Sequence, residues 1–452
     1  MEKEILSLIS ERKFSRLRQV LSPLNPADIS AILEDAQQKD LPLVFRILPK
    51  ELAAEVFVEM DSDMQQLLIE AFSDSELKEV LDELFMDDTV DIIDEMPASV
   101  AKRILKQTDA KTRQMINKLL AYPDNCAGSV MTTEYLSVKK YMTVDEAFEY
   151  IRKNAVDTES VYTCYVTDRS RRLLGVITVR ELLLSPSDAV IGDLMETNVI
   201  SAGTLDDKEE VANLFEKYDL YTLPIVDTEN RLVGIITVDD AIDVLQEEAS
   251  EDIEKMAAIL PSEKSYLKTG VFTTFKSRIP WLLFLMISAT FTGAIISSFE
   301  DKLSSLIGLI AFIPMLMGTG GNSGSQSSVT VIRALSLGDI EFKDIWRVVW
   351  KELRVAVICG VVLGAVNFVK MYLVDYLLLN SFDSGVHLLE MTAVSLTIVF
   401  VVIAAKLVGS TLPIFAKKLG FDPAVMASPL VTTILDAFSL IIYFSIAMML
   451  LV

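Results

Sequence analysis

Five apolar stretches, roughly residues 281–299, 303–335, 355–379, 388–416 and 425–451, dominate what this chain can fold into. Each is near or above the ~20 residues a helix needs to cross a hydrocarbon core, where a helix satisfies its own backbone hydrogen bonds. A very apolar soluble protein could also reach the 51% hydrophobic content of these 452 residues, but the charges are segregated. The first 268 residues carry 53 acidic and 29 basic side chains, a net −24, and the remainder carries 11 and 12. That asymmetry implies a polar domain joined to a membrane domain. It also excludes nucleic acid as a partner, because an acidic surface repels phosphate.

Basic residues set the expected orientation. Arg333, Lys343, Arg347, Lys351, Arg354, Lys417 and Lys418 fall at the second and fourth connections, whereas the first and third offer only Lys302 and Lys370. The positive-inside rule puts the N-terminus in the cytoplasm and, after five crossings, the C-terminus outside a lipid-embedded, multi-pass protein of the cell membrane. Cys126, Cys164 and Cys359 are far apart and form no C-x-x-C array, so neither a disulfide framework nor a zinc site is expected. The Met-Glu-Lys-Glu start lacks a signal peptide's apolar core.

Residues 1–125 read as an acidic, all-α domain. Pro26, Pro49, Ser73 and Pro97 recur about every 23 residues, each opening an amphipathic helix, so the segment is expected to stack into a small superhelical array. Residues 126–247 hold a second repeat of about 60 residues that runs from G-S-V-M (Gly128) to G-V-I-T-V-R-E-L and again from G-D-L-M (Gly192) to G-I-I-T-V-D-D-A. Short helices alternate with β-rich runs, and the pair resembles a tandem CBS module, an α/β regulatory domain that often binds adenine nucleotides. The resemblance implies that Thr178 with Glu181, and Thr237 with Asp240, contact a ribose, with ATP as an optional ligand. The alternative for Asp240 is a helix cap. Val238 to Leu267 reads as one acidic helix, residues 248–270 being the connector into a membrane domain of residues 271–452, unless its acids simply solvate one face.

Two features of the membrane half carry chemistry. Pro314 to Ser328, P-M-L-M-G-T-G-G-N-S-G-S-Q-S-S, is rich in poor helix formers and is expected to open the backbone, leaving carbonyls around Gly321, with Asn322 and Gln326, to face a partly hydrated cation. Tight packing of small residues is the competing explanation. Asp436 stands in the last apolar stretch with no basic residue in that stretch to pair with it. A carboxylate at membrane depth costs at least ~2.5 kcal/mol on insertion scales, so it faces a polar path with hydroxyls such as Thr432, or stays protonated against Thr432 or Thr433. No nucleophile-and-base set is present, and the only histidine, His387, has no ligand-type companion, so an enzyme is not expected.

The order of acidic helical domain, CBS pair, acidic connector and five spans, with G-G-N-S-G-S-Q in the second span and D-P-A, S-P, T-T and Asp436 in the fifth, resembles the MgtE family of magnesium channels over essentially the whole chain. That resemblance implies a homodimer with Asp436 from both copies on the pore axis. It implies regulatory Mg2+ bound among the cytosolic acids and the connecting helix, which plugs the pore when internal magnesium is high. By position those acids are Asp91 with Asp94 or Glu95, then Asp207, Glu209 and Asp219, then Asp240, Asp243, Glu251 and Asp252. Carboxylate and carbonyl oxygens suit several divalent ions, so a CBS-regulated carrier of Mn2+ or Co2+ and a membrane magnesium sensor that transports nothing are the rival expectations.

Overall fold

The computed structural model describes residues 2–262, 266–303, 307–378, 387–426 and 428–451. It divides into two units, Met1–Gln246 and Glu247–Val452. In the first, helices Pro26–Glu34, Lys50–Val58, Asp74–Leu81 and Ala98–Gln107 start where the repeat places them. The chemistry of each start is local. The Asn25 side chain accepts a hydrogen bond from the Ala27 amide ahead of Pro26, and Ser73 and Glu76 form a reciprocal capping box, a device that contributes about 1 kcal/mol per cap. Leu33, Phe57, Leu77 and Ile104, one from each helix, are essentially inaccessible and share a core that continues into Phe215, Leu223 and Ile236. Helix α1, Met86–Glu95, belongs to this array.

Each CBS repeat is a three-stranded sheet in which the first two strands are parallel and the last two antiparallel: β1 Tyr135–Lys139, β2 Ser160–Thr167 and β3 Leu173–Thr178, then β4 Ala202–Gly203, β5 Thr222–Val226 and β6 Leu232–Thr237. The repeats complete one another. Thr132, ahead of β1, bridges Ile235 in β6, and Glu196, ahead of β4, bridges Val176 in β3. Helix α2, Lys208–Tyr218, packs on the second sheet, and α3, Val238–Met256, follows β6.

Here the expected connector is too long. Instead of running to Leu267, α3 ends at Met256, and Ala258 turns with φ of 54°. The stop is a left-handed cap at Ala258, across which the Ile259 amide donates to the Glu254 carbonyl and the Ala258 amide to the Lys255 carbonyl, both at 2.9 Å.

The second unit contains five long helices: α4 Val271–Leu303, α5 Ile313–Ser336, α6 Ile345–Lys370, α7 His387–Lys418 and α8 Ser428–Leu451. Among the described residues four segments, Val271–Phe299, Phe342–Val374, Leu388–Lys418 and Pro423–Leu451, are long and apolar enough to cross a membrane. Helix α5 is the exception, and it corrects the expectation of an open backbone, because helix runs unbroken from Ile313 to Ser336 through every glycine. The glycines serve contact instead. A Cβ on Gly324 would collide with Leu435 of α8, and one on Gly409 of α7 would collide with the Gly324 carbonyl. Small residues let helices approach closely where apolar side chains offer no advantage over lipid, so packing between helices offsets the poor helix propensity of the segment. The side chain of His387 lies outside the described residues.

Candidate functional site

An open cavity of about 470 Å³ lies between α5 and α8, lined by Pro314, Met317, Gly318, Gly321, Asn322, Thr432 and Asp436. Helical spacing explains the assembly. Pro314, Met317, Gly318 and Gly321 stand at positions i, i+3, i+4 and i+7, on one face of α5, and Thr432 and Asp436 are four apart on α8. Four of the residues expected at an ion path, Gly321, Asn322, Thr432 and Asp436, therefore meet, whereas Gln326 is exposed one turn along α5 and is not part of the lining. Asp436 is half-buried, and among the described residues no hydrogen bond or ion pair reaches its carboxylate. Thr432 and Thr433 each donate to the Pro429 carbonyl, at 3.0 and 2.9 Å, which directs their protons back into their own helix. One carboxylate, an amide and a hydroxyl are too few to strip a divalent ion of its water, but they suit one that keeps most of its shell.

A second polar centre lies in the first unit, at the start of α1. Burial and the Asp240 charge raise the Asp88 carboxyl to about 6. Burial raises Asp240 to about 6 against the hydrogen bond it accepts from Thr237 Oγ1 at 2.5 Å. Glu159 is raised by burial and by Asp88 and Asp240 to about 8, and Asp87 is pushed well above the usual carboxylate range by burial and Asp240. One Glu159 carboxylate oxygen is buried without a hydrogen-bond partner among the described residues. Glu134 borders the group, accepting the Met86 amide at 3.0 Å. Among the described residues no set of three or more acidic, His or Cys side chains closes into a ready chelate. The cluster is thus a concentration of negative potential that a proton or a cation would relieve.

The other expected acids are dispersed. Asp91, Asp94 and Glu95 lie exposed further along α1. Asp207 is the N-cap of α2 and accepts the Glu209 and Glu210 amides, and Asp219 is its C-cap in left-handed conformation. Eleven residues of helix, about 16 Å at 1.5 Å per residue, separate those two caps, so they cannot share one ion. Asp240 and Asp243 open α3, and Glu251 and Asp252 lie near its end. There Lys255 Nζ bridges Glu251 at 2.7 Å and Asp422 at 2.6 Å, and Asp252 accepts the Ser336 hydroxyl at 3.3 Å. Thr178 and Glu181 form a capping box at the corner between β3 and the helix Val179–Leu184, the position that Thr237 and Asp240 hold in the second repeat.

Sequence reasoning missed Asp87, Asp88, Glu134 and Glu159, and it missed Lys255, Asp422, Glu352 and Lys406. A signal existed for two of them. Lys406 is the one charge between Met391 and Ala416, and Glu352 is the one acid among Arg347, Lys351 and Arg354.

Comparison with known proteins agrees with this architecture along its length. A family described as a divalent cation transporter matches residues 313–446, the MgtE intracellular N domain matches residues 24–125, and CBS domains match residues 127–188 and 191–247. The magnesium transporter MgtE of Thermus thermophilus is 36% identical over 96% of this chain and 95% of its own length. The chain belongs to the MgtE family. The Bacillus subtilis magnesium transporter MgtE is 33% identical over 98% of the chain and 96% of its own length. The crystal structure of the cytosolic domain of the Mg2+ channel MgtE in complex with ATP covers 54% of this chain and all of that one, at 34% identity and a TM-score of 0.52. That of the soluble part of a magnesium transporter covers 55% and 98%, at 28% identity and a TM-score of 0.51. These likenesses give the first unit the fold of the MgtE cytosolic domain, with a CBS pair, and membership of the family makes the chain a membrane protein.

Proposed function

We propose that this MgtE-family chain conducts Mg2+ across the cell membrane and that its acidic cytosolic unit closes the path when internal Mg2+ is high. The observation that carries the reading is Asp436, a carboxylate in an open cavity of the membrane unit that no hydrogen bond or ion pair reaches among the described residues. Two copies of the chain would face their Asp436 side chains across a symmetry axis, where a hydrated Mg2+ neutralises both. Asn322, Gly321 and Thr432 would hold its water shell. The five long helices cross with the N-terminal half in the cytoplasm and the C-terminus outside.

The cluster of Asp87, Asp88, Glu134, Glu159 and Asp240 supports the regulatory half of the reading. Carboxylates that raise one another's proton affinity repel when ionised, and a divalent cation converts that repulsion into attraction. Asp91, Glu95, Asp207, Glu209, Asp219, Asp243, Glu251 and Asp252 extend the same field, with α3 as the element whose setting opens or closes the path. ATP binds at the CBS corners, where Thr178 with Glu181 and Thr237 with Asp240 are the ribose contacts. The family description of a divalent cation transporter supports a second reading, transport of Mn2+ or Co2+ through the same cavity. Reconstitution in liposomes separates these. Uptake of Mg2+ by the wild-type chain, measured against Mn2+, Co2+ and Ca2+ at fixed internal Mg2+, supports the first. Preference for another ion supports the second, and no flux of any ion leaves a membrane sensor.

A further inference from the structure

Helix α5 meets its neighbours through an almost toothless face. Gly320, Gly321, Ser323, Gly324, Ser327 and Ser328 are all buried there, and the Gly324 contact with Gly409 is nearly backbone on backbone. Between Gly320 and Ser328 α5 offers no large side chain of its own, its large buried ones, Leu316, Val331, Ile332 and Leu335, lying to either side, so this stretch packs closely, with Leu435 seated against Gly324, while adding little of its own to fix the helix's rotation. Rotation matters, since one residue of helix is about 100°, and a turn of that size would carry Asn322 and Gly321 away from Asp436.

One turn toward the C-terminus from Gly324, the structure places three polar side chains from three helices in contact. Ser327 Oγ of α5 donates to Glu352 Oε2 of α6 at 2.6 Å, and Lys406 Nζ of α7 donates to Ser327 Oγ at 3.2 Å. Their exposures are 2%, 9% and 6%, so both charges are removed from solvent. Charges inside a membrane domain are costly and persist where they are paired or lie on a path. A buried polar group whose partners are satisfied in one arrangement only is a known means of fixing helix register.

We infer that the Glu352, Ser327 and Lys406 bridge is the register lock of α5, the positioning device that keeps the Gly321 and Asn322 face turned to Asp436. Ser327 lies five residues beyond Asn322, about 7.5 Å along the helix, so the lock stands beside the cavity without lining it. The lock acts on selectivity, because a rotated α5 changes which oxygens meet the ion's water shell. It rests on the transport reading above, and the two fail differently: no flux in the wild-type chain removes the transport reading, whereas flux indifferent to the bridge removes the lock.

The test is uptake of Mg2+ and Ca2+ by full-length protein in liposomes, with folding checked by size exclusion and thermal melting. Glu352→Gln and Lys406→Met, each leaving one charge unmatched, are expected to lower Mg2+ uptake about tenfold and to shift the Mg2+ to Ca2+ ratio. The paired Glu352→Gln/Lys406→Met chain is expected to return both readouts to within about threefold of wild type, the non-additivity that marks direct coupling. Ser327→Ala removes the central hydroxyl without stranding an ion outright and keeps the test decisive if the single charge variants do not fold. It is expected to shift the ratio at nearly normal expression. An unchanged ion ratio in Ser327→Ala, or a double variant worse than either single, overturns the lock.

Discussion

Lys255 Nζ stands 2.6 Å from Asp422 Oδ2, tying the end of α3 to the segment that leads into α8, the helix that carries Asp436. Burial works against the charge on Lys255, but its hydrogen bonds to Asp422 and Glu251 outweigh burial and raise its proton affinity. Lys255 thus keeps its charge at any physiological pH. Lys255→Met should remove a partly exposed ion pair worth about 1 kcal/mol, a factor of about five in a two-state equilibrium. Flux at millimolar internal Mg2+ should rise by that factor in Lys255→Met liposomes, and flux equal to wild type would show that the link does not hold the closed state.

Asp436→Asn keeps the shape of the side chain and removes its charge. Mg2+ uptake should fall by about a hundredfold or more, since ~3 kcal/mol of ion–carboxylate attraction is lost, while the melting temperature should hold or rise because an unpaired carboxylate has left the membrane unit. Equal uptake by Asp436→Asn and wild type removes Asp436 from the path.

The acid cluster makes the metal-free first unit sensitive to pH. Asp88, Asp240 and Glu159 have folded-state values of about 6, 6 and 8, all above those of unfolded carboxylates. Groups raised in this direction stabilise the folded state below pH 4 and lose that contribution as pH rises to 8. The protection factors of α1 and β2 in EDTA, corrected for the intrinsic base-catalysed rise in exchange, should therefore fall from pH 5 to pH 8, and added Mg2+ should restore protection at pH 8. Glu159→Gln should flatten the profile, and a profile as steep as wild type would remove Glu159 from the cluster's titration.

Gly409→Ala adds a single methyl group against the Gly324 carbonyl. Overpacking at such a seam costs about 1–3 kcal/mol. The melting temperature of the detergent-solubilised protein should fall by several degrees and Mg2+ flux should drop with it. Wild-type stability would mean that α5 and α7 separate more easily than their contact implies.

How much of this was legible depended on the range of the interaction. The helix starts at Pro26, Pro49, Ser73 and Pro97 and the strands ending at Thr178 and Thr237 follow from capping chemistry and alternation within a few residues, and the sequence carries both plainly. The meeting of Gly321, Asn322, Thr432 and Asp436 also had a local basis in helical spacing. The conformation around Gly321 was misread because propensity is a local quantity, whereas the contacts of Gly324 with Leu435 and Gly409 come from helices 80 or more residues away in sequence. The same distance hid the acid cluster. Asp88 is an ordinary surface acid in the sequence and Asp240 reads as a ribose contact, a helix cap or a regulatory acid, and only packing of α1 beside the CBS pair makes them neighbours. Glu352, read alone, looks like the edge of a span, and Lys406, though it stands alone inside one, has its partner Ser327 79 residues away.

The glycine face of α5 also bears on how the molecule is made. Four of the long segments are apolar enough to partition into a bilayer one at a time, and α5 is not among them. A translocating machine that weighs segments by hydrophobicity has little reason to release α5 into lipid alone, so its insertion should wait for α7 and α8, which follow it out of the ribosome. The helix that lines the cavity with Asp436 is then the last to settle, and a chain truncated before α7 should leave it outside the membrane.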